Sequence, residues 1–169
     1  MSATTVRVRL ASPSEYDHVG RLTADAYSAA LAEGSSDPYL AVLLDAESRA
    51  DDAELLVAVN DGDDIIGTVT VCRPGNDLAD IARPGEIEVR MLAVADHFAH
   101  QGVGSLLMEH VHERARNEHF EAVVLSVIAT NTAAIRFYRR LGYRPEPERD
   151  WLPRADMDAM LEVFIRPAG

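Results

Sequence analysis

The chain has 169 residues, 47% hydrophobic and 26% charged, enough for one good core and too few for two full-sized domains. A formal charge of −12 opposes nonspecific attraction to DNA, RNA or anionic membranes, which need a basic face. The same acidity favours a cationic partner such as a polyamine or a lysine-containing peptide, although it also serves solubility. The first ten residues lack the apolar segment of a secretory signal, and no stretch approaches the roughly 18 apolar residues of a spanning helix. The expectation is therefore a single cytoplasmic domain over residues 1–169, with no nucleic acid or membrane partner. The single cysteine, Cys72, lies in an apolar run and reads as a buried thiol rather than a nucleophile.

In chain order, Val6 to Leu10 has strand composition, and Ser12-Pro13-Ser14-Glu15 supplies the oxygens and early acid of a helix start, predicting a helix to about Ala32. Gly34 to Pro38 is a turn cluster, after which Tyr39 to Ala50 reads as a second helix with Leu40, Leu43 and Leu44 inward. Glu54 to Asn60 and Ile65 to Arg73 are β-branched runs joined by Asp61-Gly62-Asp63-Asp64, a hairpin signature. Pro74 to Gly85 is a loop and Glu86 to Val94 a strand. Gly102 to Asn117 has helical apolar spacing, and Ala122 to Ile128 is a buried strand, so strand, helix and strand form a parallel crossover. A helix over Thr132 to Leu141 stops at Gly142, and closing strands are expected near Tyr143 and over Met157 to Ile165.

The informative segment is Glu88-Val89-Arg90-Met91-Leu92-Ala93-Val94, followed by His100-Gln101-Gly102-Val103-Gly104-Ser105 opening a helix. First-turn backbone N–H groups lack intrahelical partners and carry about half a positive charge, which suits a phosphate, and the two glycines permit close approach. A dinucleotide fingerprint would need a third glycine, and a Walker A loop a Gly-Lys-Ser/Thr ending; neither is present. Arg114, Arg116, Arg136, Arg139, Arg140 and Arg144 gather in the second half, where an anionic cofactor could use them. His97, His100, His110 and His112 make no recognised ligand spacing, so no metal is expected.

The segment resembles motif A of the GNAT acetyltransferase superfamily, a strand ending in Leu-Ala-Val followed by a Gln/Arg-x-x-Gly-x-Gly/Ala turn. Downstream, Asn131, Ala134 and Phe137-Tyr138-Arg139-Arg140-Leu141-Gly142-Tyr143 are similar to that family's second signature. One position departs: Ala99 stands where the family usually has Arg or Gln, and His100 and Gln101 are the available compensating donors. The resemblance implies an α/β (α+β) acyl-CoA N-acyltransferase fold. Its sheet would be mixed, mostly antiparallel, of six or seven strands, splayed at its middle, with helices on both faces. It also implies acetyl-CoA as acyl donor, an amine acceptor on a small molecule or peptide, and homodimerisation as a family habit.

The cofactor-binding residues implied are Leu92, Ala93 and Val94 along the pantetheine arm, His100, Gln101, Gly102, Val103, Gly104 and Ser105 at the pyrophosphate, and Asn131, which also suits an N-cap. A lysine-like ammonium, pKa ~10.4, must lose a proton to attack at neutral pH, at a cost of about 4 to 5 kcal/mol. Strand alternation puts Glu86, Glu88 and Arg90 on one face and Ile87, Val89 and Met91 on the other, placing two carboxylates beside the acceptor channel. Glu88 aligns with the family's base, against the alternative of a structural ion pair. Tyr138 aligns with the tyrosine that protonates the departing thiolate, against the alternative of a core aromatic. Tyr39, Asp45, the 74–85 loop and Trp151 to Met157 are position-based candidates for the acceptor pocket. The competing function is a catalytically idle acyl-CoA-binding or regulatory module that keeps the glycine turn.

Overall fold

The computed structural model describes residues 4–28, 38–153, 155 and 159–169. Seven strands, β1 (Arg7–Leu10), β2 (Glu54–Val59), β3 (Ile65–Cys72), β4 (Glu86–Val94), β5 (Ala122–Ile128), β6 (Arg144–Pro145) and β7 (Leu161–Pro167), form one sheet in the order β1-β2-β3-β4-β5-β7-β6. Every neighbouring pair is antiparallel except β4 with β5. That parallel pair is the predicted crossover.

The helices are α1 (Tyr16–Ser28), α2 (Pro38–Leu44), α3 (Ala46–Asp52), α4 (Val103–Asn117) and α5 (Thr132–Arg140). They cover both faces of the sheet. On one, Leu107 and Val111 of α4 pack with Leu56, Ile87 and Phe164, all fully buried. On the other, Val19 and Leu22 of α1 meet Val57, Val59 and Ala93. Each such aliphatic side chain contributes about 1.5–3 kcal/mol on burial. Gly67 sets the spacing under α4, since a Cβ there would lie 2.8 Å from Val103 Cγ1.

Several boundaries differ from the sequence reading. The first helix opens as a 3-10 turn over Pro13–Glu15, where the Glu15 carboxylate accepts from the Ser12 N–H at 2.8 Å and pairs with Arg9. Its expected end near Ala32, and the turn from Gly34 to Asp37, lie outside the described residues. The single helix expected over Tyr39 to Ala50 is two, because the Asp45 side chain accepts from the Ser48 N–H and starts α3 afresh. Tyr143 precedes β6 and buries its ring instead of pairing, while β7 begins at Leu161; Met157, the expected start, lies outside the described residues.

The main departure is inside β4. Thr68 pairs with Ala93 and Thr70 with Arg90, so Val69 faces two residues, Met91 and Leu92, and Met91 takes φ +55°. One extra residue in a strand reverses which face the later side chains take. Met91, expected beside Ile87 and Val89, packs instead with Ala24 and Leu43 under α1 and α2, while Leu92 and Val94 turn to the α4 face.

Candidate functional site

Beyond the bulge the sheet opens. The β4–β5 register runs only from Glu86 opposite Ala122 to Val89 opposite Leu125, leaving residues 90–94 and 126–128 unpaired with each other. The gap continues into a cavity of about 480 Å³ lined by both strands and by α5. The Ala95 N–H donates to the Ile66 carbonyl at 2.9 Å, so by strand alternation the N–H groups of Leu92 and Val94 point away from β3 and into the gap. A chain carrying amides can pair with those groups as an extra strand, and a carbonyl polarised there would develop its negative charge against a fixed donor.

At the mouth of the gap, α4 begins at Gly102, whose φ of +84° favours glycine and whose missing Cβ faces open space. The first intrahelical bond is Leu106 N–H to Gly102 carbonyl, so the N–H groups of Gly102, Val103, Gly104 and Ser105 have no partner within the helix. His100 is exposed with φ +62°, and the Gln101 amide donates to the His97 carbonyl at 3.2 Å. Gly104, expected to let a phosphate approach its backbone, also serves packing: its Cβ would stand 3.2 Å from Phe137 Cζ and 3.7 Å from Val94 Cγ2. Both of those residues line the cavity, so the helix start abuts it without His100 to Ser105 themselves forming its walls. This arrangement suits the phosphates and amide-bearing arm of CoA. The first-turn N–H groups would face the former, and the β4 backbone the latter.

Glu88, Leu92, Ala93, Val94, Asn131 and Tyr138 are brought together in the cavity. The Asn131 side chain accepts from the Ala134 N–H at 3.2 Å and caps α5, the local role its position predicts. Tyr138 is 8% exposed and its hydroxyl makes no hydrogen bond among the described residues. Burial raises its pKa well above the ordinary value of 10, so the phenol keeps its proton. Its ring is held edge-on by Phe137 at 5.0 Å and by Tyr143 at 5.6 Å. Tyr143 is in turn fixed by a 2.7 Å hydrogen bond to His112 Nε2.

The two carboxylates of β4 diverge in role. Glu86 does not reach the cavity: Arg149 holds it bidentately at 2.9 and 3.0 Å in a nearly buried pair and also donates to the Ile81 carbonyl. Glu88 does reach it, with its carboxylate inside the 74–85 loop. Oε1 accepts from the N–H groups of Ile81 and Ala82 at 2.7 and 2.8 Å, and Oε2 from Asp80 at 3.0 Å. Burial raises the Glu88 pKa, opposed by those three backbone donors. Burial likewise pushes Cys72 up to about 12, which leaves it a protonated thiol.

Of the acceptor-side candidates, Tyr39 and Trp151 line the cavity, the indole N–H donating to Ser126 Oγ at 3.1 Å. Asp45 does not line it, being the α3 cap, and Met157 lies outside the described residues. Of the 74–85 loop, named as a candidate, Asp80 is the residue that lines the cavity, whereas sequence reasoning missed Arg90 and Tyr27 as cavity residues. Arg90 was assigned its face correctly, but which loop residue it meets, Asp80 at 3.3 Å, follows from the course of the loop. Arg114 is not free for a phosphate: it pairs with Glu54 and lies near Glu118. No group of three or more potential metal ligands occurs among the described residues, and no helix there is long and apolar enough to cross a membrane.

The fold has counterparts. The chain is similar to a Bacillus subtilis protein, YdhI, with 30% identity over 57% of this chain and 53% of that one, so it spans about half the length of that curated relative. Its fold matches an acetyltransferase of the GNAT family from Staphylococcus aureus Mu50, with TM-score 0.73 and 14% identity over 98% of this chain and 100% of that one. It also matches the PaiA N-acetyltransferase of Thermoplasma acidophilum, solved with coenzyme A, with TM-score 0.72 and 15% identity over 96% of this chain and 99% of that one. The family model for the acetyltransferase (GNAT) family matches residues 19–143, the span that carries the bulged strand, the glycine turn and Tyr138. With more than half its length inside that match, the chain belongs to the acetyltransferase (GNAT) family.

Proposed function

We propose that the protein transfers an acetyl group from acetyl-CoA to a primary amine by direct attack, both substrates bound together. The observation that carries this reading is the cavity in the β4–β5 gap, with the protonated, unpartnered Tyr138 hydroxyl on its wall and the start of α4 at its mouth. When bound, acetyl-CoA supplies a thioester: a C–N bond forms as the C–S bond breaks, and an ammonium plus acetyl-CoA yields amide, CoA thiol and one proton. The N–H groups of Leu92 and Val94 orient the carbonyl and stabilise its developing charge. Tyr138 gives its proton to the departing sulfur, whose thiolate the same burial disfavours, and regains one from the attacking nitrogen, which sheds its second proton as the amide forms. Glu88, or a water held at Oε2, takes the proton that the ammonium must lose. Holding both reactants in one cleft removes much of the entropic barrier.

The test is calorimetric titration of acetyl-CoA into the wild type, Gly102→Asp and Gly102→Asn. The two variants share the cost of a left-handed non-glycine residue and differ by one charge. Saturable wild-type binding that survives in the Asn variant and is lost in the Asp variant supports the site. Absence of wild-type binding overturns the reading.

A further inference from the structure

The acceptor end of the cavity carries its own chemistry, and the identity of the acceptor rests on the acetyl-transfer reading. Three charged groups line the cavity among the described residues: Asp80, Glu88 and Arg90. They differ in what each has left to offer. Glu88 has both oxygens engaged by the N–H groups of residues 80–82. The Arg90 guanidinium donates to the Leu78 carbonyl at 2.8 Å, pairs with Asp80 Oδ2 at 3.3 Å and hydrogen-bonds Tyr39. Asp80 is one-third exposed, and beyond its contact with Arg90 its carboxylate accepts no other hydrogen bond among the described residues. The net charge of the three is −1, and Asp80 is where it remains available.

The surrounding wall is apolar and aromatic. Tyr27, Tyr39 and Met91, which cluster with residues of α1 and α2, line the cavity together with Trp151 and Pro153. The Trp151 N–H is already engaged with Ser126, so the indole offers carbon surface. An ammonium against aromatic faces and one carboxylate is favoured, and a desolvated cation–π contact adds to the carboxylate's attraction. Among the described lining residues a carboxylate on the acceptor would find no uncommitted cation, and a second ammonium no second uncommitted carboxylate; burial of either without a charged partner is costly.

We propose that Asp80 binds the acceptor's ammonium and that the acceptor class is a small primary monoamine with an apolar or aromatic body and no carboxylate. Glu88 then serves Asp80 by fixing the 80–82 backbone, and Arg90 by fixing its side chain.

The test compares 2-phenylethylamine, phenylalanine and spermidine as acceptors, reading CoA thiol release, with wild type, Asp80→Asn and Asp80→Glu. Binding of 2-phenylethylamine to the CoA-loaded protein is measured in parallel by calorimetry, with thermal melts to verify folding. Expected is a kcat/KM for 2-phenylethylamine about 100-fold above that for phenylalanine or spermidine. Asp80→Asn raises its KM and Kd about 10-fold with acetyl-CoA affinity unchanged, and Asp80→Glu recovers part of the loss. Equal or better use of phenylalanine or spermidine overturns the proposal while leaving acetyl transfer intact, as does undiminished 2-phenylethylamine binding by Asp80→Asn. Should no amine be acetylated, 2-phenylethylamine binding that is lost in Asp80→Asn sustains the recognition proposal and removes the enzymatic one; no binding removes both.

Discussion

Replacing Glu88 by Gln separates the two roles its carboxylate can have. The side chain keeps its size and one oxygen, but the amide nitrogen must stand either at Oε2, facing the Asp80 N–H, or at Oε1, facing those of Ile81 and Ala82. The first orientation leaves one backbone donor against another donor and is the cheaper. Losing one hydrogen bond to a charged acceptor costs about 1.5–3 kcal/mol, and the remaining two weaken as the charge disappears. In a domain of this size that lowers the melting temperature by about 5 °C. Urea unfolding followed by the fluorescence of the single tryptophan, Trp151, reports the effect at the cavity itself. If Glu88 also takes the proton, kcat falls and the pH profile shifts so that the variant recovers at high pH, where the amine is already neutral. A variant as stable as the wild type would refute the three-donor clasp; reduced stability with an unchanged pH profile would refute the base.

Tyr138→Phe removes a hydroxyl without a protein partner, so stability changes by less than about 0.5 kcal/mol while kcat falls about 100-fold with the KM for acetyl-CoA unchanged; an unaltered kcat in steady-state assays would make Tyr138 only a core aromatic. Burial lowers the His112 pKa to about 4 from an ordinary 6.5, with Arg166 and Arg116 adding to the effect. Between those values the unfolded chain holds a proton that the native one does not, so stability is present above pH 6.5 and about 3 kcal/mol of it is lost as pH falls to 4. His112→Leu should flatten that acid limb in denaturant titrations across this range, and a limb that keeps its slope would assign it to other groups. Arg149→Met leaves Glu86 buried without its partner and should cost about 3–5 kcal/mol, read as a drop of about 10 °C in thermal unfolding; a drop below 2 °C would show water reaching the pair.

The regular parts of the fold were legible because period and breakers both spoke. Continuous apolar, β-branched runs marked β2, β3 and β5, and apolar spacing marked α4. The misreadings occurred where a side chain overrode the local pattern. Asp45 ended one helix and capped another inside an otherwise continuous apolar stripe, since an Asx oxygen can replace a backbone acceptor at an N-cap. Gly104 fits both a phosphate turn and a packing contact, and the packing partner, Phe137 of α5, follows only from the tertiary arrangement. Asp80 was legible only as a member of the 74–85 loop. It is one acid in a breaker-rich loop, and its place on the cavity is fixed by three backbone N–H groups converging on Glu88.

The bulge at Met91 is where these features connect. Sequence alternation alone put Glu88 and Arg90 on one face, where both line the cavity, but continued Met91 to the wrong side, because an inserted residue leaves no mark on an apolar run. Its consequence for the site is specific. Ahead of it, β4 still pairs with β5 and presents Glu88 and Arg90 to the loop that carries Asp80; after it, pairing with β5 has ended, and the N–H groups of Leu92 and Val94 have no strand to meet. Leu92 and Val94 now pack towards α4, which brings Val94 against the position of Gly104 and ties the gap to the start of that helix. Met91, displaced to the opposite face, lines the cavity while packing with Leu43 and Ala24. On the acetyl-transfer reading, a single left-handed residue costing on the order of 1–2 kcal/mol sets the acyl-donor edge on one side of the strand and the acceptor wall on the other, and the two substrates would meet at the point where the strand is irregular.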